Sequence, residues 1–269
     1  MTTHPWGEQK ADLYDRIGRE YAATRHTDPR IARAIWSALA DARTVLNVGA
    51  GTGHYEPDDR EVVALEPSDV MIAQRSPDAA PVVQGRAESL PFEDDSFDAV
   101  MAVLSDHHWS DRRRGLAELR RVARDRIVLF NANPGEAALF WMTTEYLPEF
   151  LELIPARYRR PGVWEDELRA TLGDVELTAV PVPHDCRDGF YGAYWREPEA
   201  YLEPRIRAGI SVFSQLGAGT VDRAVEALGA DVRTGRWLDR HRELLTMDAL
   251  HLGYYVITAE ANSQTGGCI

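Results

Sequence analysis

The run Val45-Leu46-Asn47-Val48-Gly49-Ala50-Gly51-Thr52-Gly53 is an apolar strand that stops in three alternating glycines. Without a Cβ, a chain can turn sharply there and let a ligand lie directly against its backbone. A second apolar run, Val62-Val63-Ala64-Leu65, follows and ends at an acid, Glu66. A carboxylate at the end of the next strand can accept hydrogen bonds from both hydroxyls of a ribose. The pair reads as a nucleoside-type cofactor site at the carboxyl edge of a parallel sheet.

The dinucleotide fingerprint G-x-G-x-x-G/A asks for a small third residue where the helix packs on the strand. Here that position is His54, and the glycines run G-x-G-x-G. A nicotinamide oxidoreductase is therefore disfavoured.

Outward from this loop, strands and helices alternate, the signature of a doubly wound, mostly parallel sheet. Strands are expected at 44–48, 62–65, 81–84, 98–103 and 126–131, with helices near 68–75 and 111–123. Ser68 is placed to cap the first of these helices. Only His54 to Glu61 separates the glycine loop from the second strand, less than the ~10–12 residues of an ordinary crossover. The helix there must shrink to about a turn or give way to a loop. Two further strands at 174–182 and 249–259 bring the sheet to seven. The boundaries that follow are an amino-terminal helical flap (1–40), a cofactor-binding core (41–133) and a helical lid (134–173). A core strand (174–183), a substrate-cap insertion (184–248), a final core strand (249–260) and a disordered tail (261–269) complete the chain.

Composition fits a soluble globular protein, 44% apolar and 27% charged. No apolar run reaches the ~18 residues of a membrane span. The amino terminus has neither the basic start nor the apolar core of a secretory signal, so a cytoplasmic location is expected. Net charge is −13, from 43 acidic and 30 basic residues. Such a surface repels phosphate backbones and disfavours a nucleic-acid substrate. The arginines at 112–114 and 120–121 are read as the solvated face of a helix whose apolar residues are Leu116, Leu119 and Val122. Two cysteines, Cys186 and Cys268, cannot build a disulfide framework.

Further segments fall in a recognisable order: Glu66-Pro67-Ser68-Asp69-Val70-Met71, then Ala87-Glu88-Ser89-Leu90-Pro91-Phe92-Glu93-Asp94-Asp95-Ser96-Phe97-Asp98, His107-His108-Trp109, and Glu118-Leu119-Arg120-Arg121-Val122. With the glycine loop, these resemble the class I S-adenosylmethionine-dependent methyltransferases, specifically the ubiquinone/menaquinone-biosynthesis-like type 11 family of small-molecule enzymes. The resemblance covers roughly residues 10–131. It implies a Rossmann-like fold and S-adenosyl-L-methionine as cofactor. It also assigns roles. Gly49, Ala50, Gly51 and Gly53 would lie against the methionine part and ribose, with Glu66 on the ribose hydroxyls. Pro67 and Met71 would sit beside the adenine, Ala87 and Glu88 at its edge. Ala102 and Val103 would flank the methionine moiety. Tyr14, Tyr21 and Arg25, spaced to share one helix face, resemble the family's amino-terminal flap, Arg25 or a tyrosine holding the cofactor carboxylate. Two departures stand out: Asn47 replaces the family's usual acid, and Ala123-Arg124-Asp125-Arg126 replaces its Pro-Gly-Gly turn.

Methyl transfer asks the protein mainly to align acceptor, methyl and sulfur, because the sulfonium is already electrophilic. A phenol, alcohol or amine acceptor also needs a base. Candidates are Asp106, His107 and His108, just past the fourth strand, with His107 favoured. The alternatives are an S-adenosylmethionine-binding protein that no longer methylates, acting as a rearrangement catalyst or regulator, and a C-methyltransferase. The aromatic content of 132–248 points to an apolar pocket for a small molecule of specialised metabolism. Trp109, Trp141, His184, Tyr191, Tyr194 and Trp195 are its candidate contacts. No resident metal is expected, and a monomer or homodimer is equally compatible with the chain.

Overall fold

The computed structural model describes residues 24–261. Tyr14, Tyr21 and Cys268 lie outside them. Helix α1 (Pro29–Ala38) starts where Asp28 accepts a hydrogen bond from the Arg30 amide, with proline at the first helical position. Proline suits that place because its missing N–H would have no intrahelical partner. Ile31, Ala32 and Ile35 bury one face of the helix.

The sheet strands are β1 (Thr44–Val48), β2 (Glu61–Glu66), β3 (Val82–Gln84), β4 (Phe97–Val103), β5 (Ala123–Ala132) and β6 (Val175–Ala179). After a two-residue β7 (Val182–Pro183) and β8 (Ala249–Leu250), β9 (Tyr254–Glu260) completes the set. The seven-stranded order is β3-β2-β1-β4-β5-β9-β6. β9 runs antiparallel to both its neighbours, and the other pairings are parallel. Reversal of chain order at β1 and β4 opens a crevice at their carboxyl ends, where ligands of such sheets bind.

No helix forms between β1 and β2. Tyr55 occupies the space instead, 2% exposed, its ring 6.5 Å from that of Phe130. Its backbone is left-handed, with φ of 65°, a conformation costly for a bulky residue and held only where surroundings over-determine it. Ser68 caps the next short helix as expected, accepting from the Met71 amide.

Two hydrophobic clusters cover the two sheet faces. One joins α1 to most of the insertion, including Trp195, Tyr201, Phe213 and Leu228. The other joins helix α2 (Arg112–Val122) and helix α3 (Val163–Leu172) to the opposite face. Segment 134–173 contributes Phe140, Trp141 and Met142 to the first cluster and Ile154, Tyr158 and Trp164 to the second. It therefore crosses the carboxyl edge of the sheet. Prolines at 134, 148, 155 and 161 break the part before α3 into short turns rather than one continuous helix. The insertion leaves and re-enters through the β7–β8 ribbon, where Val182 pairs with Leu250. Its longest helix is α4 (Ala218–Thr234).

Asp28 also ties α1 to the insertion, accepting from the Arg187 amide and from Arg30, which in turn reaches Asp185. Burial alone would push the Asp28 carboxyl up. Hydrogen bonds from Arg30 and Arg187 win and hold it at about 2. Its stabilisation is full above the ordinary carboxylate value of 3.8 and is lost as pH falls through about 2. Asp28→Asn keeps a capping side chain but removes this charge. It is expected to cost about 2 kcal/mol at neutral pH and to flatten the loss of stability between pH 4 and 2. Denaturant titrations of both proteins across that range check this.

Candidate functional site

Two cavities meet at the carboxyl edge. A narrow cleft of about 120 Å³ runs over the glycine loop, lined by Gly49, Ala50, Gly51, Glu66, Pro67, Met71, Ala87, Glu88 and Val103. A chamber of about 800 Å³ adjoins it, its apolar wall including Phe150, Leu153, Ile154, Trp164, Phe190, Tyr191, Ile210 and Val212. Arg25, Leu104, His108, Trp109 and Ser110 line both. Those residues frame the window between them.

Local chain geometry builds the cleft floor. Gly49 and Ala50 both donate their amides to the Leu65 carbonyl, which pins the loop to the end of β2. Gly49 has φ of 70°, and a Cβ there would fall 2.6 Å from the Ser105 Cβ. The Gly51 amide donates to Glu66 Oε2 at 2.8 Å, and the Ser68 amide donates to Oε1 at 3.0 Å. Glu66 is only 5% exposed, its carboxylate fixed at the cleft wall. Glu88 Oε1 accepts from the Ser110 amide and hydroxyl, both at 2.6 Å. The far end of the cleft is thereby stapled to the window.

The window loop is set by an unusual backbone. Leu104 adopts φ of 49°, which turns the chain as it leaves β4. Ser105 Oγ then donates to the Val48 carbonyl, and a one-turn helix carries Asp106, His107 and His108. Asp106, 2% exposed, accepts from Arg112 Nε at 2.8 Å and from Asn131 Nδ2. His107 and His108 lie ring against ring, 3.9 Å between centroids. His107 faces the chamber alone, whereas His108 faces both cavities.

Opposite them, Arg25 is held by Asp188 through Nε at 2.5 Å and Nη2 at 3.0 Å. Tyr55 Oη and the Gly189 amide also donate to Asp188, at 2.9 and 2.8 Å. Burial pushes the Asp188 carboxyl up, but the Arg25 charge and these hydrogen bonds outweigh it and hold the group below its ordinary value. Burial pushes the imidazole of His54, beside them, below its ordinary value.

Three polar atoms of the cleft residues are buried without a hydrogen-bond partner: Asn47 Oδ1, Thr52 Oγ1 and His54 Nε2. Buried polar groups are normally satisfied, so a cluster of orphans calls for a ligand. An amide oxygen, a hydroxyl and an imidazole nitrogen match the ammonium and carboxylate of an amino-acid tail. With Glu66 at the wall, the cleft fits a nucleoside joined to an amino acid.

Not every expected contact converges here. Gly53 packs beside Glu56 and Arg75, and Ala102 is buried in the core beneath. Trp141 donates its indole N–H to the Trp195 carbonyl, and Trp195 donates to the Val182 carbonyl. Both tryptophans are core packing that locks the insertion to its ribbon, and neither lines the cleft or the chamber. Tyr194 lies in the same aromatic cluster, and His184 Nδ1 sits 2.6 Å from Arg196 Nη2. Burial pushes the Cys186 thiol up to about 12. Among the described residues no set of three His, Cys, Asp or Glu side chains is placed to hold a metal. Tyr191 does line the chamber, its hydroxyl 3.0 Å from Thr143 Oγ1.

Arg112 corrects the reading of the arginine run as a solvated face. It turns inward from the first turn of α2 to hold Asp106. Asn131, Ser105, Tyr55 and Asp188 had no distinguishing sequence signal. Asn47, in place of the family's usual acid, donates its Nδ2 to Glu56, which is itself paired with Arg75.

The type 11 methyltransferase-domain family model matches residues 46–130. The chain is similar to a solved structure from Anabaena variabilis, described as an inferred methyltransferase from an antibiotic biosynthesis pathway. The TM-score is 0.78 and the identity 32%, covering 88% of this chain and 98% of that one. It is 34% identical over 157 residues to YcgJ of Bacillus subtilis, an uncharacterized methyltransferase, covering 52% of this chain and 62% of YcgJ. A demethylmenaquinone methyltransferase of Thermotoga maritima is 28% identical over 145 residues, covering 48% of this chain and 63% of that one. The chain thus spans less than two thirds of these curated relatives.

Proposed function

The chain belongs to the class I S-adenosylmethionine-dependent methyltransferases of type 11, and from that membership we propose that it methylates oxygen or nitrogen of a small, largely apolar molecule of specialised metabolism. The observation that carries this reading is the shared window: one face opens on the cofactor cleft and the other on an apolar chamber. A neighbour described within an antibiotic biosynthesis pathway supports the metabolic setting. No described helix is long and apolar enough to cross a membrane.

Bound in the cleft, S-adenosylmethionine would supply an electrophilic methyl group. Glu66 would accept from the ribose hydroxyls. Asn47, Thr52, His54 and Arg25 would meet the amino-acid end, and Pro67, Met71, Ala87 and Glu88 the base. The chamber walls would hold the acceptor and exclude water, and such alignment can contribute about 7–11 kcal/mol of a barrier. His108, facing both cavities, is the better placed base for the acceptor proton. Asp106 is already held by Arg112 and Asn131 and acts by positioning the loop that carries His108.

Calorimetry tests the cofactor directly. S-adenosylhomocysteine is expected to bind and NAD is not. Micromolar binding of NAD with none of S-adenosylhomocysteine would overturn the assignment. Glu66→Ala is expected to weaken binding by about 1.5–3 kcal/mol, the range of charge-assisted hydrogen bonds. An unchanged dissociation constant would show that this acid does not read the ribose.

A further inference from the structure

We infer that Asp188, on the cap insertion, is a positioning residue that aims Arg25 at the amino-acid end of the cofactor, so that cap and cofactor cleft share one buried ion pair. The inference rests on the cofactor reading of the cleft given above. Arg25 reaches the window from the segment preceding α1 and lines both cavities. Asp188 comes from the opening of the insertion, and Tyr55 from the loop that replaces the first crossover helix. Three separate parts of the chain therefore converge on one carboxylate.

That carboxylate is fully buried and accepts from Arg25 Nε and Nη2, Tyr55 Oη and the Gly189 amide. The His26 amide adds a longer contact of 3.3 Å. A guanidinium is planar and rigid, so gripping its Nε–Nη2 edge fixes the direction of the whole fork. Buried ion pairs are seldom a net source of stability compared with apolar packing. This one instead sets a cation beside the unpartnered His54 and Thr52, where a carboxylate would lie. The chain accepts backbone cost for the arrangement: Tyr55 is left-handed, and a Cβ at Gly189 would meet the Thr24 carbonyl at 2.5 Å.

The test compares two ligands that differ at the end in question. S-adenosylhomocysteine carries the amino acid, and 5′-methylthioadenosine keeps the nucleoside and thioether without it. Calorimetry of the full chain is expected to show Asp188→Asn weakening S-adenosylhomocysteine by about 10–100-fold, the equivalent of one charge-assisted contact. The same variant is expected to leave 5′-methylthioadenosine within about twofold. Equal weakening of both ligands would mean general loosening, and no weakening would mean Arg25 needs no holder; either overturns the inference. Should Asp188→Asn fail to fold, Tyr55→Phe carries the test. It preserves packing and removes one donor, and a selective loss for S-adenosylhomocysteine is again expected, with equal or absent loss overturning the proposal. A wild-type protein that binds neither ligand would instead refute the cofactor reading. One that binds both alike would refute only the role of Arg25 and Asp188.

Discussion

Gly51→Leu is expected to abolish cofactor binding while leaving the protein folded: a loss of S-adenosylhomocysteine affinity of about 100-fold or more, at or above the upper end of what a single charge-assisted hydrogen bond supplies. Gly51 has φ of 55°, its amide is committed to Glu66, and its missing side chain faces the cleft with only Met71 Cε near, at 3.3 Å. A leucine there projects into a cleft of about 120 Å³. The backbone cost is modest, about 1–2 kcal/mol for an L-residue in a left-handed conformation. That corresponds to a fall in melting temperature of about 2–8 °C for a domain of this size. Gly217→Leu is the control, since nothing lies within 4 Å of its Cβ position. Calorimetry on both variants beside their melting curves separates occlusion from unfolding. Retained affinity in Gly51→Leu would move the cofactor elsewhere.

The second large effect is expected at the window. His108→Ala should lower turnover by about 10²–10⁴-fold, the usual contribution of a general base. Cofactor affinity should hold, because Glu66 and the glycine loop are expected to bind it independently of His108. His107→Ala should cost much less, since His107 is exposed and faces the chamber alone. The difference between neighbours only 3.9 Å apart separates position from residue type. If neither variant slows the reaction, alignment alone carries it. If His107 carries the larger loss, the acceptor approaches from deeper in the chamber than the shared window implies.

What could be read from the residues alone follows from what is local. The glycine loop, Glu66 and the strands through β5 were legible because alternation of apolar runs with turn residues reports on neighbours in sequence. The short crossover was also legible, since too few residues separate His54 from Glu61 for a helix. The partners of Asp188 were not. Arg25 and Asp188 lie 163 positions apart, and no periodicity encodes such a meeting. Arg112 was misread for a related reason. A run of arginines on an amphipathic helix looks solvated, and only the fold shows the first of them turning toward Asp106. Trp141 and Trp195 illustrate the converse error. A dense aromatic segment signals burial, but burial against the protein and burial against a ligand leave the same composition. His108 outranked His107 only once two cavities could be seen to share it.

The central claim is transfer of a methyl group to a small molecule held in the chamber. Its most direct test is incubation of the purified protein with methyl-labelled S-adenosylmethionine and fractionated extract of the source organism. Label is expected in a small, solvent-extractable product that survives protease and nuclease treatment, formed by the wild type and absent with Gly51→Leu. Label confined to protein or nucleic acid, or none in any fraction from a protein that binds S-adenosylhomocysteine, would contradict it.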